Sequence, residues 1–234
     1  MNSNDEFKKA FKAFAATDRS IGLHANWDEM VLLAALLLNC TSEFSTDERW
    51  SEMEEIRGGY SPERLDAFVK VLNAMGDAFE RRPFQDLLGQ TFMELELESK
   101  GSGQFFTPMS ISKLCACLTI GEVPDYERVA DPACGAGALL IAAAWRAQQL
   151  AQENGMSDWR WQDHLEFHCR DVEKQMALMC YVQLGILGAC GEVQVGNTLS
   201  MDIREAWELP YVTAHKRAQM DAKSIYKLLE ALTA

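Results

Sequence analysis

A chain of 234 residues, 48% of them hydrophobic, has enough apolar material for one large domain or two small ones, which excludes disorder as its default state. Its net charge of −13 is spread as 19 acids against 10 bases in residues 1–98 and 16 against 12 in residues 99–234. That balance argues against tight DNA binding by this chain alone, because neutralisation of phosphates by Lys and Arg supplies most of such affinity. No charged-then-apolar leader opens the sequence, and the apolar run at 31–38 is too short to span a bilayer, so a cytoplasmic protein without a membrane segment is expected. The seven cysteines are odd in number and form no C-x-x-C pair, which points to free thiols in a reducing compartment.

Residues 5–98 read as helices with short breaks. Phe7, Phe11 and Phe14 recur at helical spacing, and Asn26 is expected to cap a helix reaching about Cys40. A third helix covers about 46–57 and stops at Gly58-Gly59. Ser61-Pro62-Glu63 marks a helix start: a hydroxyl cap, proline at the first position, then an acid on the positive end of the dipole. Leu65, Phe68, Val69, Leu72 and Met75 are its expected core stripe, and a fifth helix follows Pro83. A Gly/Ser stretch then leads into Gln104-Phe105-Phe106-Thr107-Pro108 and a helix over about 109–120.

From Val129 the pattern turns α/β. A strand at about 127–131 enters the loop Asp131-Pro132-Ala133-Cys134-Gly135-Ala136-Gly137, and a helix follows over about 136–152. Glycines there let the backbone turn tightly and approach a ligand that a Cβ would block. A second strand at about 165–170 ends in Asp171, where nucleotide folds place an acid against ribose hydroxyls. A third, at 192–195, leads to Gly196-Asn197-Thr198-Leu199. Crossover helices imply parallel strands, so all three loops open on one sheet edge, the edge where ligands bind. No fourth strand is evident, and about 214–232 reads as an amphipathic helix. His164 and His168 straddle a loop and a strand, so no metal site is expected.

In order and spacing, five segments resemble the adenine-N6 DNA methyltransferases, specifically the modification (methylase) subunits of type I restriction-modification systems. They are Asp86-Leu87-Leu88-Gly89, Gly103-Gln104-Phe105-Phe106-Thr107-Pro108, Asp131 to Gly137, Asp171, and Gly196-Asn197-Thr198-Leu199. The resemblance implies an all-helical N-terminal domain over 1–98 and a partial, Rossmann-like methyltransferase domain over 99–234 that binds S-adenosylmethionine. By the same resemblance, Phe106, Thr107 and Pro108 cover the methionine end. Asp131, Pro132, Ala133, Cys134, Gly135 and Gly137 hold the amino-acid part. Asp171 meets the ribose, Val172 packs on the adenine face, and Asn197 offers its amide oxygen to the adenine amino group, where the family more often has Asp. Ala136 replaces a usual serine.

One part of the pattern is missing. Methylating an adenine amino nitrogen requires acceptors for its hydrogens, and the family supplies them from an Asn/Asp-Pro-Pro-Tyr/Phe turn whose aromatic stacks on the flipped base. The six prolines here include no Pro-Pro pair, and no asparagine follows Asn197. Glu208-Leu209-Pro210-Tyr211 comes too soon and lacks the amide, so it reads as a turn. The expectation is therefore a methyltransferase-like chain truncated before its base-binding motif, with no catalytic residue of its own: a split enzyme completed by a partner, or a degenerate copy. The uncovered edge of the first strand suggests a protein partner or homo-oligomer that completes the sheet. The alternative is a non-enzymatic acidic interaction protein, such as an antirestriction protein of a mobile element acting on host restriction enzymes.

Overall fold

The computed structural model describes residues 3–97 and 106–212. The Gly/Ser stretch at 101–103 and the helix expected over about 214–232 lie outside the described residues. The chain is α/β: a helical N-terminal part, then a four-stranded, mostly parallel sheet with helices against it. Five helices come first: α1 (Ser3–Thr17), α2 (Gly22–Cys40), α3 (Asp47–Gly58), α4 (Pro62–Arg81) and α5 (Leu87–Glu94). Then follow α6 (Met109–Thr119), β1 (Glu127–Asp131), α7 (Ala138–Glu153), α8 (Trp161–His164), β2 (Leu165–Asp171), α9 (Lys174–Ile186), β3 (Cys190–Asn197) and β4 (Asp202–Glu208).

Local signals account for some helix starts. Thr46 caps α3 and Ser61 caps α4, each accepting from the backbone N–H three residues on, with Pro62 at the first position of α4. Asn26 does not cap α2, which starts four residues earlier at Gly22. Its amide instead donates to the carbonyls of Asp18 and Gly22, and its oxygen accepts from Arg64. Phe7, Phe11 and Phe14 are fully buried, each contributing about 1.5–3 kcal/mol by burial, and Trp27 meets Phe11 edge-on at 4.9 Å. Leu65 and Val69, expected in the α4 core stripe, are 37% and 46% exposed, because α1 packs against the other face of that helix, through Phe68, Val71 and Met75.

One continuous apolar core runs from these helices under the sheet, with α9 as its axis. Among its residues, Met176 to Leu184 are buried without a break, because α9 lies between α2, α5, β2 and β3. The sheet order is β1-β2-β3-β4. β1, β2 and β3 are parallel, with Val129 opposite Phe167 and Cys169 opposite Val193. β4 corrects the sequence reading, which found no fourth strand: it returns antiparallel along β3, with Trp207 opposite Val193. Asp202, Arg204 and also Ile203 and Ala206 are exposed and only Trp207 is buried, a pattern suited to an edge strand but poor in hydrophobic alternation. Glu208-Leu209-Pro210-Tyr211 leaves this strand, with Leu209 N–H on Gly191 O and Tyr211 OH on Asp163.

At the other edge, β1 pairs with no second strand among the described residues. A groove of about 1030 Å³ runs beside it, lined by Ala116 and Ile120 from the α6 side, Val129 and Ala130 on β1, and Leu139 and Leu140 on α7. α6 also turns Leu114 and Leu118 to solvent.

Candidate functional site

The loops that close β1, β2 and β3 meet at the carboxyl edge of the sheet. The β1 loop is seated on β2, because Cys134 N–H donates to Arg170 O at 2.9 Å. It is then tied to Asp171, whose Oδ2 accepts from Gly135 N–H at 2.9 Å while Oδ1 accepts from Glu173 N–H at 3.0 Å. Thr198, at the end of β3, donates its hydroxyl to Pro132 O at 2.6 Å. Asp131, Pro132, Ala133, Cys134, Gly135 and Gly137 are thus brought together with Asp171 and the Asn197-Thr198 corner.

Gly137 precedes α7 with φ +96°, and a Cβ there would meet Cys180 Sγ at 2.9 Å. A glycine is required on both counts. Beneath the loop, Cys134, Cys169 and Cys180 are buried against one another. A hydrogen bond from Cys180, then burial, pushes the Cys134 thiol well up. Burial does the same to Cys180, so both favour the neutral thiol. Cys115 and Cys117, by contrast, are exposed on α6.

Asp131 is the electrostatic feature of this loop. Its Oδ1 accepts from Ala133 N–H at 3.1 Å, but the buried Oδ2 has no hydrogen-bond partner among the described residues. Burial raises its carboxyl above the ordinary value, partly opposed by the Ala133 N–H, and the charge of Asp171 raises it further. A buried carboxylate oxygen with no donor is costly to leave so, and invites one from a ligand.

Val172 is 52% exposed, with its carbonyl held by Arg204 of β4. Asn197 is exposed, and its Oδ1 already accepts from Leu199 N–H at 2.9 Å and Ser200 N–H at 3.4 Å. The expected acceptor for an adenine amino group is therefore engaged in turning the β3–β4 hairpin. Leu199, 96% exposed at the tip of that hairpin, stands free beside it.

Phe106, Thr107 and Pro108 lie apart from this loop set. With Asp86, Gln90 and Met93 of the α5 segment they line a separate cleft of about 440 Å³, and Phe106 leans on Phe92 at 5.7 Å. Two buried polar residues, neither given a role by the sequence reading, join cleft to loop. Gln183 of α9 donates to Asp86 Oδ1 at 2.9 Å and to Ala136 O at 2.8 Å, and accepts from Leu88 N–H at 3.0 Å. Asp86 also caps α5 through Gly89 N–H. A lone glutamine within the apolar run of residues 176–187 is the signal that singles out Gln183. Among the described residues, no three His, Cys, Asp or Glu side chains are placed to hold a metal. His164 stacks on Trp159 and His168 pairs with Glu166.

A mostly parallel sheet with a glycine-rich β1 loop, an acid after β2 and a hairpin after β3 defines an α/β protein whose loops gather at one sheet edge. Residues 74–222, which contain every loop just described, match the N-6 DNA methylase family, and the chain belongs to that family. It is also similar to the methylase subunit of the type I restriction enzyme MpnII of Mycoplasma pneumoniae, with 35% identity over 94 residues. Those residues are 40% of this chain but 16% of that protein, so the match spans about a sixth of the relative's length. No single helix among the described residues is long and apolar enough to cross a membrane.

Proposed function

We propose that this chain binds S-adenosylmethionine at the carboxyl edge of its sheet, as the cofactor-holding part of an adenine-N6 DNA methyltransferase of the type I modification group. The observation that carries this reading is the set of carboxyls at the glycine loop and in the cleft that Gln183 joins to it. Asp86, Asp131 and Asp171 accept only from N–H groups of backbone or amide, and none pairs with a Lys, Arg or His among the described residues. A donor carrying a sulfonium and an α-ammonium supplies the missing positive charge. The orphaned Asp131 Oδ2 and the loop without a Cβ at Gly137 fit such a molecule.

In this reading Phe106, Thr107 and Pro108 close over the methionine end, and Asp131 with the backbone from Pro132 through Ala133, Cys134, Gly135 and Gly137 holds the amino-acid part. Asp171 meets the ribose hydroxyls with its remaining lone pairs. Val172 packs on the adenine, and Asn197 reaches its amino group by yielding its hairpin bonds. The bound cofactor supplies an electrophilic methyl group. The chain's own residues bind and orient it, but these 234 residues contain no Asn/Asp-Pro-Pro-Tyr/Phe turn to hold an adenine. Methyl transfer then depends on further polypeptide, and the open edge of β1 with its groove is where a segment carrying that turn extends the sheet. The acidity of the chain leaves DNA binding to that same partner.

Calorimetry with S-adenosylmethionine tests the first step: the unmodified chain binds, and Asp131→Ala and Asp171→Ala each weaken binding at least tenfold. Absence of binding by the unmodified chain would refute the reading. With labelled methyl donor and adenine-containing DNA, the chain alone is expected to give no turnover; turnover would overturn the assignment of base binding to a partner.

A further inference from the structure

Asp86 is the most deeply buried carboxyl near the loops, 2% exposed, and the binding scheme above counts its unmatched charge but assigns it no contact with the ligand. It begins α5, and its Oδ1 accepts twice, from Gly89 N–H at 2.9 Å and from the Gln183 amide at 2.9 Å. Its Oδ2 accepts from no described residue. Capping α5 needs only one carboxyl oxygen, and a Ser or Asn would serve as well at a solvated helix start. A buried acid that keeps a spare oxygen is paid for by something other than the cap.

The surroundings of the carboxyl are those of a cleft. Asp86 lines the 440 Å³ cleft together with Phe106, Thr107 and Pro108. Gln183 donates at once to Asp86 Oδ1 and to Ala136 O, so the carboxyl is fixed one amide away from the glycine loop. Gly89 makes the placement possible. A Cβ at that position would fall 2.7 Å from Oδ1 and overlap Oδ2, so the carboxyl can lie over the first turn of α5 only because residue 89 has no side chain. Around it stand an aromatic ring, a threonine and a proline, and no Lys, Arg or His among the described residues of the cleft.

We propose that Asp86 is a cofactor-binding residue whose carboxylate takes the α-ammonium of the donor's amino-acid end, with Gln183 and Gly89 as the residues that position it. This deepens the reading of the preceding subsection and rests on it. Asp86 thereby adds a second anionic contact, from the helical part of the chain, to the one at Asp131. It is a determinant for the amino-acid half of the ligand and not for its adenosine half. A carboxylate this deeply buried attracts a cation more strongly than a surface acid does. The same arrangement explains why the helix after it carries glycine at 89.

The experiment compares three ligands that share adenosine: S-adenosylmethionine, S-adenosylhomocysteine, and 5′-methylthioadenosine, which lacks the amino-acid end. Asp86→Asn keeps the shape of the side chain and removes its charge. Gly89→Ala displaces the carboxyl by a different route. In each variant the dissociation constants for the first two ligands are expected to rise at least tenfold, while that for 5′-methylthioadenosine changes by less than twofold, which also reports that the fold is intact. Equal weakening of all three ligands would mean that Asp86 only props the loop through Gln183, and would overturn the proposal, as would unchanged affinities throughout. If the unmodified chain binds none of the three, the cofactor reading itself falls, and this assignment with it.

Discussion

Two clusters of buried charge divide this protein. In the helical part, Arg64 is 6% exposed and fully answered: its guanidinium donates to Glu29 at 2.6 Å, Asn26 at 3.0 Å and Thr17 at 3.1 Å, and lies 4.2 Å above the Phe14 ring. At the sheet edge and in the cleft beside it, Asp131, Asp171 and Asp86 carry one sign only and have no cation among the described residues. The first arrangement stabilises a particular packing of α1, α2 and α4. The second costs stability when nothing is bound and is a reason for something to bind. Charge matching thus separates the framework from the site in a chain whose apolar core is continuous across both.

Breaking the first cluster has the larger effect on stability. Arg64→Ala leaves Glu29 unpaired beside buried Asn26, and a loss of about 3–5 kcal/mol is expected, a fall in Tm on the order of 10 °C. Affinity for S-adenosylmethionine, measured well below that Tm, should change by less than twofold. A matching loss of affinity would show that framework and site are one cooperative unit and would dissolve the distinction. Gly137→Ala tests the border between them. The positive φ and the 2.9 Å approach to Cys180 Sγ give an expected cost of about 1–3 kcal/mol. Here affinity falls along with stability, at least tenfold by calorimetry, because the displaced loop is itself the binding surface. A variant that melts lower but binds normally would place the ligand elsewhere.

What the sequence disclosed follows the range of the interactions involved. The cap at Ser61 answers to a neighbour three residues away and was legible, as was the glycine turn at 135–137 from its composition, although the contact of Gly137 with Cys180 was not. Strands β1 to β3 were legible because short apolar stretches within them alternate with helical segments and each ends in a recognisable loop. β4 was not: Asp202-Ile203-Arg204-Glu205-Ala206-Trp207-Glu208 has little hydrophobic alternation, and its strand state comes from pairing with β3. Leu65 and Val69 fit the α4 stripe by periodicity, but which side of a helix finds a partner is decided by tertiary packing. The same limit applied at the site. Asp86 belongs to a recognisable segment, yet its depth depends on Gln183, 97 positions further on. Asn197 was expected to present a free amide oxygen, and the β4 hairpin that occupies it had gone unseen.

The finest test of the contrast between the clusters is a difference in sign. Burial, partly opposed by the Ala133 N–H and assisted by the charge of Asp171, holds the Asp131 carboxyl above the ordinary carboxylate value; burial does the same to Asp86. The ligand-free fold therefore keeps protons that the unfolded chain releases. The stability these groups contribute is complete below their unfolded pKa, about 4, and is lost as pH rises through the raised folded values. Asp131→Asn cannot lose that proton. Relative to the unmodified chain it should be more stable at pH 7, by about 1 kcal/mol at most, with the gap closing toward pH 4. Ligand affinity runs the opposite way, because a cationic donor needs the charged carboxylates. In the unmodified chain it should rise with pH through the same window, with net proton release visible as a dependence of the binding enthalpy on the ionisation enthalpy of the buffer. In Asp131→Asn the affinity should be lower and its rise with pH smaller. Affinity in the unmodified chain that stays flat from pH 4 to pH 7 would mean that these carboxyls do not face a cation, and that the unmatched charge at the sheet edge serves something other than the donor.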